Sequence, residues 1–340
     1  MKPDFSNLLK VLAKQKPDRP TLFEFFLNEG LEDELAAGET IRYKDDGHDY
    51  WRKRIRAFKN AGYDYTTVSG SAFHFPHEDK AHDGKKSYSL NERVTIYDRR
   101  SFESYKWPNA DEYGCKTLDG IKDDLPDGMK YIICGPGGVL ENVISLMGYD
   151  NLCMMLYDDP ELVQDIFGAV GSCLLGYYEN CAGHETVGAI ISNDDWGFNT
   201  QTMLSSADMR KYVFPWHEKI AAVAHKYGKP AILHSCGMLE DVMDDVIDVI
   251  KFDGKHSYED NIIPVEDSYE KYVGRIATLG GIDLNFVCMS KPEEIEKRCE
   301  SMLERSAERG CFALGTGNSV PYYVPNENYY AMIDMVRKTR

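Results

Sequence analysis

Short runs of β-branched and aromatic residues alternate along this chain with stretches whose apolar positions recur every three to four residues. Eight runs read as strands: residues 21–26, 63–69, 130–134, 188–193, 230–234, 249–254, 275–280 and 311–315. The stretches between them carry helix signals. Ser290 and Glu293 have the spacing of a capping box, with Ile295, Cys299, Met302 and Leu303 forming an apolar stripe behind them. Asn326 reads as an N-cap ahead of Tyr329, Ile333 and Val336, and Pro160 opens a helix that runs to about residue 180. Strands that alternate with helices form parallel sheets, because the crossover needs the length of a helix. Eight such units predict an α/β fold, a single (β/α)8 TIM barrel, spanning residues 1–340 as one domain.

Two segments depart from the repeat. Residues 5–14 predict an N-terminal helix ahead of the first strand. Residues 70–129, after strand two, are too long for a simple connection. They include a predicted β-hairpin, 88–90 against 93–97 around Asn91-Glu92, and an aromatic stretch ending at Trp107-Pro108. Connections this long tend to be lids or binding loops, so this insertion is a candidate docking collar, or else a plain surface addition.

Composition narrows the function. The chain has 340 residues, 43% of them hydrophobic, enough for a large core without disulfides. Its formal net charge of −17 repels phosphate backbones and anionic lipid heads, so neither nucleic acid nor a membrane is an expected partner. A polyanionic substrate is disfavoured for the same reason. Nine scattered cysteines do not form a secreted disulfide framework, and neither an 18-residue apolar span nor a signal peptide is read. A cytoplasmic protein is expected.

Chemistry is expected at the C-terminal ends of the strands. Polar clusters stand there: Glu24 in the first strand, then Asn193-Asp194-Asp195-Trp196, His234-Ser235-Cys236-Gly237, His256-Ser257-Tyr258-Glu259, Gly281-Ile282-Asp283 and Thr316-Gly317-Asn318. Residues two apart on a strand share a face, so His234 and Cys236 can turn one nitrogen and one sulfur to a single metal ion. The bland alternative is a buried histidine bonded to a carbonyl beside an inert thiol. Glu259, at the end of the neighbouring strand, is the favoured third ligand, ahead of Cys311, which starts its strand at the far end. The Asp194/Asp195 pair offers a general base or a substrate acceptor, and Trp196 a wall for an apolar pocket.

In the order Leu22-Phe23-Glu24-Phe25, Asn193–Gly197, Lys229–Gly237, Gly280–Asp283 and Leu314–Ser319, these motifs resemble the uroporphyrinogen decarboxylase superfamily over residues 20–340. The resemblance implies one of two chemistries. Decarboxylases of that superfamily grip substrate carboxylates with an arginine-bearing motif after the first strand; here residues 25–40 hold no Arg or Lys, and Glu29, Glu32, Asp33 and Glu34 stand there instead. Its methyltransferases pass methyl groups to or from a corrinoid protein, and the coenzyme M enzymes hold zinc with His-x-Cys and a later Cys. His234 and Cys236 match the first two positions, and the later Cys falls at Gly317. A more distant relative, cobalamin-independent methionine synthase, adds a Glu similar in position to Glu259. The expected protein is therefore a zinc-dependent methyltransferase working with a separate corrinoid protein and a small-molecule methyl donor or acceptor, an O-methyl compound being favoured. Its expected residues are His234, Cys236 and Glu259 for zinc, Asp194 and Glu24 for proton handling or substrate orientation, and Trp196, Asn318 and His256 as pocket walls. A metal-free, decarboxylase-like lyase acting on a tetrapyrrole is the alternative, and a barrel in which His234 and Cys236 are merely packed is a third.

Overall fold

The computed structural model of the chain describes residues 2–38, 44, 46–77, 90–91 and 94–338. Seven strands, β1 (Tyr65–Ser69), β2 (Lys130–Cys134), β3 (Val187–Asn193), β4 (Ala231–His234), β5 (Gly254–His256), β6 (Ala277–Leu279) and β7 (Phe312–Ala313), lie side by side in chain order. Every pairing is parallel, as in a TIM-like barrel. The N-terminal helix is present as Ser6–Leu12.

The expected first strand is not a ladder strand. Residues 21–27 form isolated bridges, Leu22 to Leu314 and Leu27 to Val320, on the β7 side of the sheet. Toward β1 the Tyr65 hydroxyl replaces a backbone partner: it accepts from Glu24 N–H and donates to Glu24 C=O, both at 2.7 Å. Thr67 Oγ1 donates to Phe25 C=O in the same way, at 2.7 Å. Side chains therefore satisfy the backbone that an eighth ladder would otherwise pair.

Other boundaries move for local reasons. The run at 249–254 is not a strand; a wide helical turn occupies Asp245–Val249, Lys251 adopts a φ of 66°, and β5 begins only at Gly254. Pro292 fills the first position of the helix Pro292–Ser306, so its N-cap is Lys291, whose N–H donates to Glu294, in place of Ser290 with Glu293. Its stripe of Ile295, Cys299 and Met302 is buried as expected. The hairpin lies largely outside the described residues. Its described part, 94–97, is not a strand, and Thr95 and Ile96 donate their N–H groups to Leu146 C=O at 2.8 Å. All nine cysteines are free, and no helix among the described residues is long and apolar enough to cross a membrane.

The period of two within the strands decides which side chains reach the site. Tyr131, Ile133, Ile190, Ala231 and Leu233 pack in the layer that includes the helix Pro160–Ala182. Their neighbours Ile132, Cys134, Ala189, Ile191 and Ile232 pack in a second cluster. His234 continues the Ile232 face, and Asp195 continues the face of Ala189 and Ile191.

Replacing Tyr65 with Phe removes the partner of a buried N–H and a buried C=O at once. Tyr65→Phe is expected to cost about 2 kcal/mol or more of stability, read from the urea midpoint by circular dichroism. An unchanged midpoint would show that water replaces the hydroxyl freely.

Candidate metal centre

Asp195, His234 and Cys236 converge at the C-terminal ends of β3 and β4, with their ligand atoms all within 4.8 Å of one another. The third member was expected to be Glu259, which stands outside this group and lines a neighbouring cleft instead. Asp195 reaches the group because it follows the inward positions Ile191 and Asn193, and its Oδ1 accepts from Cys236 N–H at 3.2 Å. Gly197 and Gly237 let the two loops touch backbone to backbone. A Cβ on Gly237, whose φ is 82°, would lie 2.2 Å from the Gly197 carbonyl.

Hydrogen bonds fix which nitrogen of His234 is free. Thr316 C=O can only accept, so His256 Nε2, 3.2 Å away, carries a proton. His256 is neutral, since burial pushes its pKa down to about 3, and its Nδ1 is therefore an acceptor. His234 Nδ1, 2.8 Å from it, must be the donor. His234, held well below its ordinary pKa chiefly by burial, thus keeps an unprotonated Nε2. An imidazole oriented through its other nitrogen is the usual condition of a metal-binding histidine.

Cys236 completes a nitrogen, sulfur and oxygen set of the kind zinc accepts. Its Sγ receives a hydrogen bond from Asn318 Nδ2 at 3.1 Å and lies 3.7 Å from Ser257 Oγ. Burial, and then the nearby Asp195 charge, pushes the thiol up to about 12, so a cation is needed to hold it as thiolate at neutral pH. The residues present fit zinc.

The remaining expected residues fall in different places. His256 is fully buried and acts on His234, with no surface left to be a pocket wall. Asn318 does line a cleft of about 760 Å³, with Tyr258, Glu259, Asp260, Asp283 and Tyr323, and so connects that cleft to Cys236. Trp196 is 0% exposed, packed on Phe214 and His217 with ring centroids 5.1 and 4.9 Å away, so it presents no wall to a ligand.

Asp194 sits on the opposite face of the strand from Asp195. Its carboxylate accepts from Leu140 and Glu141 N–H, at 2.9 and 2.8 Å, in the first turn of the helix Val139–Met147. His217 Nε2 is 2.8 Å away on its other side, and that ring is held by Ser192. A Cβ on Gly138 would lie 2.1 Å from Asp194, so this clamp requires glycine there. Asp194 is thus a structural anchor.

Glu24 is fully buried and holds Thr316, accepting from its N–H at 2.6 Å and lying 2.8 Å from its Oγ1. Thr316 Oγ1 also bonds Asn318 C=O, and one hydroxyl proton cannot serve two acceptors. A proton on Glu24 completes the chain, in keeping with a pKa that burial raises to about 8. Thr316 and Asn193 stand in the strand-end clusters, yet sequence reasoning assigned neither a role, and His217 belongs to no motif; the buried Oδ1 of Asn193 has no partner among the described residues.

The chain belongs to the family described as Uroporphyrinogen decarboxylase (URO-D), whose model matches residues 82–339. Uroporphyrinogen decarboxylases from Anaeromyxobacter dehalogenans (strain 2CP-C) and Anaeromyxobacter sp. (strain Fw109-5) are each 24% identical over 230 residues, 65% of this chain. The match spans 62% of the length of those relatives. A methyltransferase from Methanosarcina mazei shares the fold across 99% of both chains, with a TM-score of 0.69 and 13% identity.

A Glu24 that keeps its proton until about pH 8 when folded, against an ordinary value of 4.5, makes stability fall as pH rises between those values and level off above them. Glu24→Gln mimics the protonated acid, its carbonyl accepting from Thr316 N–H and its amide donating to Oγ1. Urea unfolding at about pH 5 and about pH 9 should show a smaller loss for the variant than for the parent chain. Equal losses would mean that Glu24 is ionised throughout.

Proposed function

We propose that this protein is a zinc-dependent methyltransferase that moves a methyl group between a small substrate, an O-methyl compound, and a corrinoid carried by a separate protein. The carrying observation is that His234, Cys236 and Asp195 bring a ring nitrogen, a sulfur and a carboxylate within 4.8 Å of one another, while the Nδ1–H bond to His256 leaves the lone pair on Nε2. Those three residues would hold zinc. Bound there, zinc supplies Lewis acidity, and a set with one thiolate and one carboxylate is harder than one with two thiolates, suited to an ether or hydroxyl oxygen. The chain's own residues do the rest. His256 and Thr316 keep His234 in the binding tautomer, Asn318 donates to the sulfur, and Asn193 offers a free acceptor on the same face. Glu259, expected as a ligand, is read here as a substrate contact in the cleft.

The cleft favours this reading over a decarboxylase. Its lining contains Glu259, Asp260 and Asp283 and neither Lys nor Arg. Each close pair of like charges costs about 1 kcal/mol in water and more when buried, so a polycarboxylate tetrapyrrole is poorly matched. At the rim, Met289 is 79% and Tyr323 60% exposed, and Tyr322 is 83% exposed beside it. Large apolar side chains so exposed suit a protein partner that docks over the mouth. The decarboxylase relatives make uroporphyrinogen the competing substrate to test.

Mixing the zinc-loaded protein with an O-methyl compound and a cob(I)alamin carrier protein should yield methylcobalamin, followed by its absorbance. His234→Ala and Cys236→Ser should lose bound zinc and transfer together, and His256→Ala should weaken zinc affinity about 10–100-fold while leaving every ligand in place. Metal-independent turnover of uroporphyrinogen, unaffected by His234→Ala, would overturn the proposal.

A further inference from the structure

We propose a second divalent-metal site, of the zinc class, formed by Cys115, Asp119 and His184 where the β1–β2 connection meets the turn before β3. The three ligand atoms lie within 4.8 Å of one another. His184 precedes β3, whereas His234 ends β4, and the two clusters share no residue. Cys115 is the N-cap of the helix Lys116–Ile121, and Asp119 follows one turn later on the same side.

The spacing is that of a coordination shell. His184 Nε2 is 3.4 Å from Asp119 Oδ1, and Cys115 Sγ is 3.7 Å from Asp119 Oδ2. In a tetrahedral zinc site with bonds of about 2.0–2.3 Å, nitrogen and oxygen ligands stand about 3.3 Å apart and sulfur and oxygen about 3.5 Å apart. The two separations to the Asp119 carboxylate are within a few tenths of an ångström of these values, and the sulfur and the imidazole nitrogen lie within 4.8 Å of each other. The His184 ring is held in place: Nδ1 lies 2.8 Å from Thr186 Oγ1 and accepts from Thr186 N–H at 3.3 Å, so that Nε2 faces Asp119. With Nε2 on a metal, the ring proton would move to Nδ1 and donate to that hydroxyl, in place of the longer contact with Thr186 N–H. The His184 side chain is only 12% exposed while Asp119 is 63% exposed, a nearly buried imidazole with an open carboxylate that gives an ion its way in. Binding would deprotonate the Cys115 thiol and release its proton to water.

The site has a structural purpose. Cys115 and Asp119 lie in the long β1–β2 connection, and His184 lies in the turn between the helix Pro160–Ala182 and β3. A shared ion would tie that insertion to the barrel wall. Without an ion, the same atoms are a hydrogen-bonded cluster around Asp119.

Cysteine alkylation mapped by mass spectrometry tests this on the unaltered chain, stripped with EDTA and then given Zn²⁺ alone. Zinc is expected to slow modification of Cys115 at least about tenfold, and His184→Ala to remove that protection. A chain carrying His234→Ala and Cys236→Ser should still bind one Co²⁺ with a thiolate-to-cobalt absorption band, lost on adding Cys115→Ser. These variants separate the site from the mouth cluster, so either can fail alone. Alkylation of Cys115 at one rate with and without Zn²⁺, or a cobalt band that survives Cys115→Ser, would overturn the proposal.

Discussion

The hydrogen bond that His256 Nε2 donates to the carbonyl of Thr316 sets the state of everything around it. A carbonyl cannot donate, so the proton must sit on that nitrogen, and the next bond in line is forced as well. His234 gives its Nδ1 proton to His256 and keeps a lone pair on Nε2. Burial supports the arrangement by disfavouring charge on either ring. Phe23 and Phe25 pack on the two imidazoles, at 5.2 and 4.5 Å between ring centres, and limit their rotation. Glu24 secures the start of the chain by holding Thr316 from behind. Residues from four parts of the sequence, 23–25, 234, 256 and 316, thus converge on one nitrogen.

The same end of the sheet divides labour between adjacent carboxylates. Asp194 and Asp195 are neighbours in sequence, and the pleat sends them to opposite sides. Asp194 meets the first turn of a helix, where unpaired N–H groups and the helix dipole favour a negative charge. It also holds His217, and the pair rigidifies β3 from outside. Asp195 is left facing Cys236. The acidic helical segment after residue 27 is likewise drawn into ion pairs: Glu32 meets Arg54 at 2.7 Å in a buried pair, and Lys53 holds Glu29 and Asp33 at the surface. Those carboxylates serve the packing of two helices.

The repeat of strands and helices was legible because buried parallel strands leave compact apolar runs such as Tyr131–Cys134 and Ala189–Ile191. The segment at 21–26 has the same look, and nothing local reveals that the Tyr65 hydroxyl would take over its backbone bonds. His234 and Cys236 were legible as a same-face pair. Asp195 was within reach of the same rule, since counting by twos from Ala189 arrives at it and passes over both Asp194 and Trp196. Glu259 misleads because strand-end position alone does not give direction, and its chain has turned toward the cleft. The roles of His217 and Thr316 were not legible: each acts through a contact made by a distant element, and although Thr316 stands in a strand-end motif, His217 belongs to none.

Whether His234 Nε2 holds a metal is read from a crystal grown with zinc and measured on both sides of the zinc absorption edge. An anomalous peak is expected at the mouth, about 2.0 Å from His234 Nε2, about 2.3 Å from Cys236 Sγ and within bonding distance of an Asp195 oxygen. A mouth without such a peak, with His234 Nε2 donating to a neighbouring acceptor, would contradict a metal centre there.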